Sequence, residues 1–139
     1  MDYQLSIEQH PAFIHVTVTG LNSRETVAAY LRDVVEECRT RNCFRVLIEE
    51  RLKGPRLQLM DVFSVAAEGA MTALGVFQAI AYVDEYMGEM AEFAETVAVN
   101  RGMPVRVFTS VGEASTWLLR QDDASSGMDI FMDREGRDV

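Results

Sequence analysis

The sequence predicts an α/β fold, a five-stranded mixed and mainly parallel sheet carrying four helices in the order ββαβαβαβα. Three observations predict it. Residues 76–83 and 105–108 are apolar runs of strand length, separated by a helical pattern that ends at Asn100-Arg101-Gly102; this is a βαβα unit, the repeat of a parallel sheet covered by helices. The N-terminal residues alternate strictly between apolar and polar on either side of His10-Pro11, which reads as an opening hairpin with one buried face. Between these parts, residues 45–49 are apolar on both faces, as a central parallel strand must be.

Taken in order, the hairpin points Leu5, Ile7, Ile14, Val16 and Val18 inward and leaves His15 and the threonines outside. Asn22 caps the first helix, and Glu25 three residues on completes a capping box. Val27, Tyr30, Leu31, Val34, Val35 and Cys38 then recur at helical spacing and form one stripe toward the sheet. Gly54-Pro55 breaks the chain after the third strand, and residues 58–72 form the second helix. The third helix spans residues 86–101, presents Met90, Phe93, Ala94 and Val97, and closes at Asn100 or Gly102 with a left-handed cap. The last helix carries Trp117 and ends near Arg120. Residues 1–120 therefore make the domain. Residues 121–139 hold six carboxylate side chains against Arg134 and Arg137 and read as a flexible acidic tail, with Ile130-Phe131-Met132 as its apolar knot.

A chain of 139 residues is long enough for one real core, and 48% hydrophobic with 25% charged residues is globular composition. No apolar run approaches the ~20 residues of a membrane span, and Met1-Asp2-Tyr3-Gln4 does not begin a signal peptide. The expectation is a cytoplasmic protein. Its net charge of −9 argues against nonspecific binding to nucleic acid or anionic lipid. Cys38 belongs to the core stripe of the first helix; Cys43, just before a strand, is not spaced as a redox pair with it.

Several residues carry a family likeness. The run Glu95-Thr96-Val97-Ala98-Val99-Asn100-Arg101-Gly102, the strand Val105-Arg106-Val107-Phe108 and the helix start Glu113-Ala114-Ser115-Thr116-Trp117-Leu118, set in this element order, resemble the SpoIIAA-like or STAS superfamily. Those are small single-domain α/β proteins related to anti-sigma-factor antagonists. The resemblance implies a non-enzymatic regulatory domain that acts by binding a protein. The family's phosphorylated Ser or Thr stands after the third strand, where residues 49–61 here contain neither; Ser64 lies deeper in the second helix, so no family-type phosphorylation switch is expected.

The same segment is nonetheless chemically distinctive. Arg51, Lys53 and Arg56 are three of thirteen basic residues, gathered at the carboxyl end of a central strand and before a helix N-terminus. Ligands of open α/β sheets bind at that end, and helix N-termini favour anions. With Leu57, Met60 and Asp61 they form the expected binding surface, charges steering and apolar groups anchoring. The expected partner is another protein or a second copy of the chain as a homodimer. The alternative function is a carrier or sensor of a small apolar or anionic ligand, held between helices and sheet; the likeness of the SpoIIAA fold to lipid-binding Sec14-type domains prompts the apolar case. Glu49 and Glu50 after the third strand, and Asp84 and Glu85 after the fourth, do not complete a receiver-type metal site. His10 and His15 read as surface histidines. No nucleophile–base pair, metal set or cofactor motif can be named, so neither enzyme activity nor a cofactor is expected.

Overall fold

The computed structural model describes residues 3–54, 57, 59–73, 75–84 and 89–127. Its elements are β1 (Tyr3–Gln9), β2 (Ile14–Leu21), α1 (Arg24–Arg41), β3 (Arg45–Lys53), α2 (Leu59–Ala73), β4 (Ala79–Asp84), α3 (Glu89–Asn100), β5 (Val105–Phe108) and α4 (Val111–Gly127). The expected order ββαβαβαβα is therefore the observed one. The five strands lie side by side in chain order. β1 pairs antiparallel with β2, and β2 through β5 run parallel.

This topology places three helices on one face. α1 packs on α2 and α2 on α3, and between them and the sheet lies the larger core, in which Ile14, Val16, Val18, Tyr30, Val34, Cys38 and Val46 are fully buried. The other face is covered by α4, which lies on β3, β4 and β5. There Leu47, Ala79, Ala81, Ala114 and Leu118 form a second, smaller core with Phe13. Alanines at positions 79 and 81 of β4 let the helix approach closely, and Trp117 lies beside Phe108 with ring centroids 5.6 Å apart and the rings tilted by 50°. The inward set of the hairpin is as expected from alternation: Ile14, Val16 and Val18 are buried, while Leu5 and Ile7 are partly buried against the same core.

Four boundaries differ from the sequence expectation, each for a local reason. The cap of α1 is Ser23 rather than Asn22: the Ser23 hydroxyl accepts from the Thr26 backbone N–H at 3.0 Å. Asn22 is buried instead, and its backbone N–H donates to the Lys53 carbonyl at 2.7 Å, tying the end of β2 to the end of β3. β3 continues to Lys53, because that pairing with β2 persists through Leu21↔Lys53. The segment beyond Glu49, read from its charges as a loop, is strand. Gly54, whose φ of 110° suits glycine alone, follows the last residue of β3. β4 begins at Ala79 rather than Val76; Phe77 is buried ahead of it. α4 runs past Arg120 to Gly127, since neither glycine nor proline interrupts residues 121–126. The remainder of the expected tail, with Met128, Ile130, Phe131 and Met132, lies outside the described residues.

The helix C-termini follow the expected chemistry. Gly102, at φ 91°, closes α3, with Gly102 and Met103 N–H groups donating to Val99 and Ala98 carbonyls at 3.0 Å. Asn42 does the same for α1 at φ 52°. Burial, with smaller contributions from Cys43 and Glu37, pushes the Cys38 thiol up to about 12, so it behaves as a core hydrophobe.

The cap assignment is testable by urea denaturation. Ser23→Ala should lower stability by about 1 kcal/mol, whereas Glu25→Ala, at a side chain 80% exposed, should stay within about 0.5 kcal/mol. Equal losses would restore the capping box.

Candidate functional site on the two faces of β3

β3 starts as a buried apolar strand and finishes as a charged one. Alternation sends Glu50 and Leu52 to the α1–α3 face and Glu49, Arg51 and Lys53 to the opposite face. Two polar assemblies result.

On the helical face, Glu50 and Asp84 stand in register on β3 and β4 and are buried at 7% and 4% exposure. The Tyr30 hydroxyl, from the centre of α1, donates to Glu50 Oε2 at 2.5 Å. Tyr82 of β4 also hydrogen-bonds Glu50. Burial first, and then the neighbouring Glu50 carboxylate, raise both phenols well above their ordinary value, so they remain protonated donors. This assembly anchors α1 to the sheet with charge-assisted hydrogen bonds. A second tether runs from the Tyr3 hydroxyl on β1 to Asp33 on α1.

On the opposite face, α4 lies mainly on β3, β4 and β5, and the back of the β1–β2 hairpin carries polar side chains. His15 Nε2 lies 2.9 Å from Glu49 Oε1. Arg51 reaches Glu49 Oε2 through Nε at 2.7 Å and through its terminal nitrogen at 2.5 Å. Burial works to raise the Glu49 carboxyl, but the hydrogen bonds from Arg51 and His15 outweigh it and hold the group below its ordinary value of 4.5. Glu8 faces His15 across the hairpin register, with its Oε1 3.3 Å from His10 Nε2 and 3.9 Å from His15 Nδ1. Both histidines thus have a carboxylate partner that the sequence reading did not assign. The Glu8–His15 pairing follows from the hairpin register; the His15–Glu49 pairing, 34 residues apart, needs the β2–β3 pairing as well.

The structure divides the binding surface expected from sequence. Arg51 belongs to the hairpin side, engaged by Glu49, and Lys53 is exposed on the same side of β3. Arg56 lies outside the described residues. Leu57 is partly buried and packs on the larger core, and Asp61 sits in the first turn of α2. Met60 is 70% exposed, and Phe63 one turn later is 37% exposed. Phe63 has Phe93 of α3 at 6.5 Å and the Arg101 guanidinium 5.3 Å from its ring centroid. The apolar anchor expected around Met60 therefore extends along α2 toward α3, while the Arg51 charge is directed away from it. Among the described residues no helix is long and apolar enough to cross a membrane.

Two measurements probe these assemblies. Tyr30→Phe should cost about 1.5–3 kcal/mol of folding stability, the value of a hydrogen bond to a charged group; a loss under 0.5 kcal/mol would mean Glu50 is satisfied without it. The depressed Glu49 carboxyl contributes stability that is present above its unfolded value and lost as pH falls through the folded one. Glu49→Gln should therefore be destabilising at pH 7, with the gap from the parent protein closing as pH drops below 4.5. A gap that stays constant down to pH 3 would exclude the ionic network.

The chain matches no family model, and no curated protein matches it.

Proposed function

We propose that this chain is a STAS-like regulatory domain without a reaction of its own, which binds a protein partner through the exposed apolar side of α2. The supporting observation is the pair Met60 and Phe63. At positions i and i+3 they share one side of the helix, and both are exposed although they are large and apolar. Interface anchors have this character, and methionine adapts its shape to a partner at little cost. The surroundings suit an anchor with a polar rim. Asp61 stands between the pair along α2, and Arg101 beyond the end of α3 lies against Phe63 and offers a cation at the edge of the apolar patch.

In this reading the partner presents an apolar knob bordered by acidic groups, which fits the patch and pairs with Arg101. The family likeness of residues 95–118 supports the choice of a protein as partner, because domains of that kind act by docking. The lack of Ser and Thr in residues 49–61 makes binding constitutive, not switched by phosphorylation of that segment. A cytoplasmic setting fits the reduced state of Cys38 and Cys43.

The test compares affinity purifications from a cell extract using the parent protein, Met60→Glu, and Phe63→Glu as baits, each checked for folding by circular dichroism. A protein retained by the parent and lost with both variants, then reproduced with purified components, is the expected result. Retention unchanged by either variant would overturn the assignment of α2 as the docking side.

A further inference from the structure

We infer that Glu8, His10 and His15 form a binding site for a divalent first-row transition metal such as Zn²⁺, with Glu49 and Arg51 as its supporting layer. Each of the three residues offers a ligand atom, and these atoms all lie within 4.8 Å of one another. Zinc binds nitrogen and carboxylate oxygen at about 2.0–2.2 Å in tetrahedral sites, so two of its ligand atoms stand roughly 3.3 Å apart. His10 Nε2 and Glu8 Oε1 are already at 3.3 Å, and His15 Nδ1 is 3.9 Å from the same oxygen. Exposed Glu8 has less than an ångström to move toward His15, and His10 and His15, whose ligand atoms lie within 4.8 Å of each other, have to close by at most about 1.5 Å.

The protonation pattern favours a cation here. A carboxylate only accepts hydrogen bonds, so the short contact to Glu49 places the proton of neutral His15 on Nε2. That leaves the Nδ1 lone pair turned toward the Glu8 carboxylate, which is also an acceptor. Two facing acceptors repel unless a proton or a metal ion lies between them. A metal ion satisfies Glu8, His15 and His10 together, whereas a proton can bridge only one pair.

The supporting layer has the form known to strengthen histidine ligands. The imidazole that would bind metal through Nδ1 is held by a carboxylate on its other nitrogen, which fixes the ring and raises its basicity. Glu49 is itself fixed by two contacts from Arg51. The ligands also stand on a rigid base. Glu8 and His15 are opposed in the hairpin. His10 is positioned by its backbone N–H bond to the Phe13 carbonyl at 2.9 Å and by stacking on the Phe13 ring at 4.8 Å. Two nitrogens and one carboxylate leave a tetrahedral ion one open position, as in sites where the metal holds a water or an external ligand.

The test is isothermal titration of Zn²⁺ into the full chain after treatment with a chelator, paired with native mass spectrometry to count the ions bound. One Zn²⁺ per chain is expected. His15→Gln and His10→Gln should each abolish it, and Glu49→Gln should weaken it by about 10–100-fold while leaving the stoichiometry intact. His10, partly exposed at the turn, supplies a variant that keeps the fold even if replacing the more enclosed His15 does not. No binding by the parent protein, or binding unchanged in His10→Gln, would overturn the site.

Discussion

Adjacent residues of a strand point to opposite faces, and on β3 two adjacent residues are glutamates. Burying a carboxylate is costly unless hydrogen bonds and opposite charge replace its water, so Glu49 and Glu50 each require a separate solution. Under the helices, Glu50 takes neutral donors: the phenols of Tyr30 and Tyr82, both kept protonated by burial and by the glutamate itself. On the hairpin side, Glu49 takes the imidazole of His15 and the guanidinium of Arg51. The difference follows from solvent access. A fully buried guanidinium would add its own desolvation cost, whereas the 60%-exposed Arg51 side chain keeps much of its water. The positions of α1, of the hairpin and of the end of β3 all depend on these two arrangements.

Much of the fold is legible in the sequence because it rests on local periodicity. The stripe Val27, Tyr30, Val34, Val35 and Cys38 fixes which side of α1 faces the sheet, and β5 has the bounds its apolar run suggests. The misplaced boundaries share one cause. Asn22 and the segment after Glu49 are governed by pairing between β2 and β3, which brings together residues 31–32 positions apart. Charge in residues 49–53 resembles a loop in isolation; in the sheet it is the polar finish of a strand whose alternate residues still pack, as Leu52 does at 5% exposure. Ser23 displaces Asn22 as cap because Asn22 is drawn into that pairing.

The candidate sites divide along the same line. Met60 is distinctive in sequence, an apolar residue near the start of a helix, and it is exposed as a docking anchor requires. Its grouping with Arg51 was not legible, because linear proximity conceals the face to which a strand residue points. The histidines illustrate the converse. His10 and His15 look isolated along the chain, and only the hairpin register sets Glu8 between them, while the parallel register of β2 on β3 brings Glu49 to the other side of the His15 ring.

The asymmetry of the sandwich explains why both surfaces are available. Crossovers between consecutive parallel strands place α1, α2 and α3 on one face, and only the helix after β5 remains to cover the other. α4 lies on β3, β4 and β5, so the back of β1–β2 has to be polar, and its side chains are held at spacings set by the pairing rather than by flexible loops. Such a surface suits an ion, whose ligands must be placed to within fractions of an ångström. The middle helix of the covered face has the opposite character, since α2 is flanked on both sides and presents only its outer ridge, where Met60 and Phe63 stand. That ridge suits a macromolecule, which can adapt to side chains that move. The sheet lies between the two surfaces, so occupation of one does not block the other, and β3 is the strand that contributes to both sides through Glu49 and Glu50.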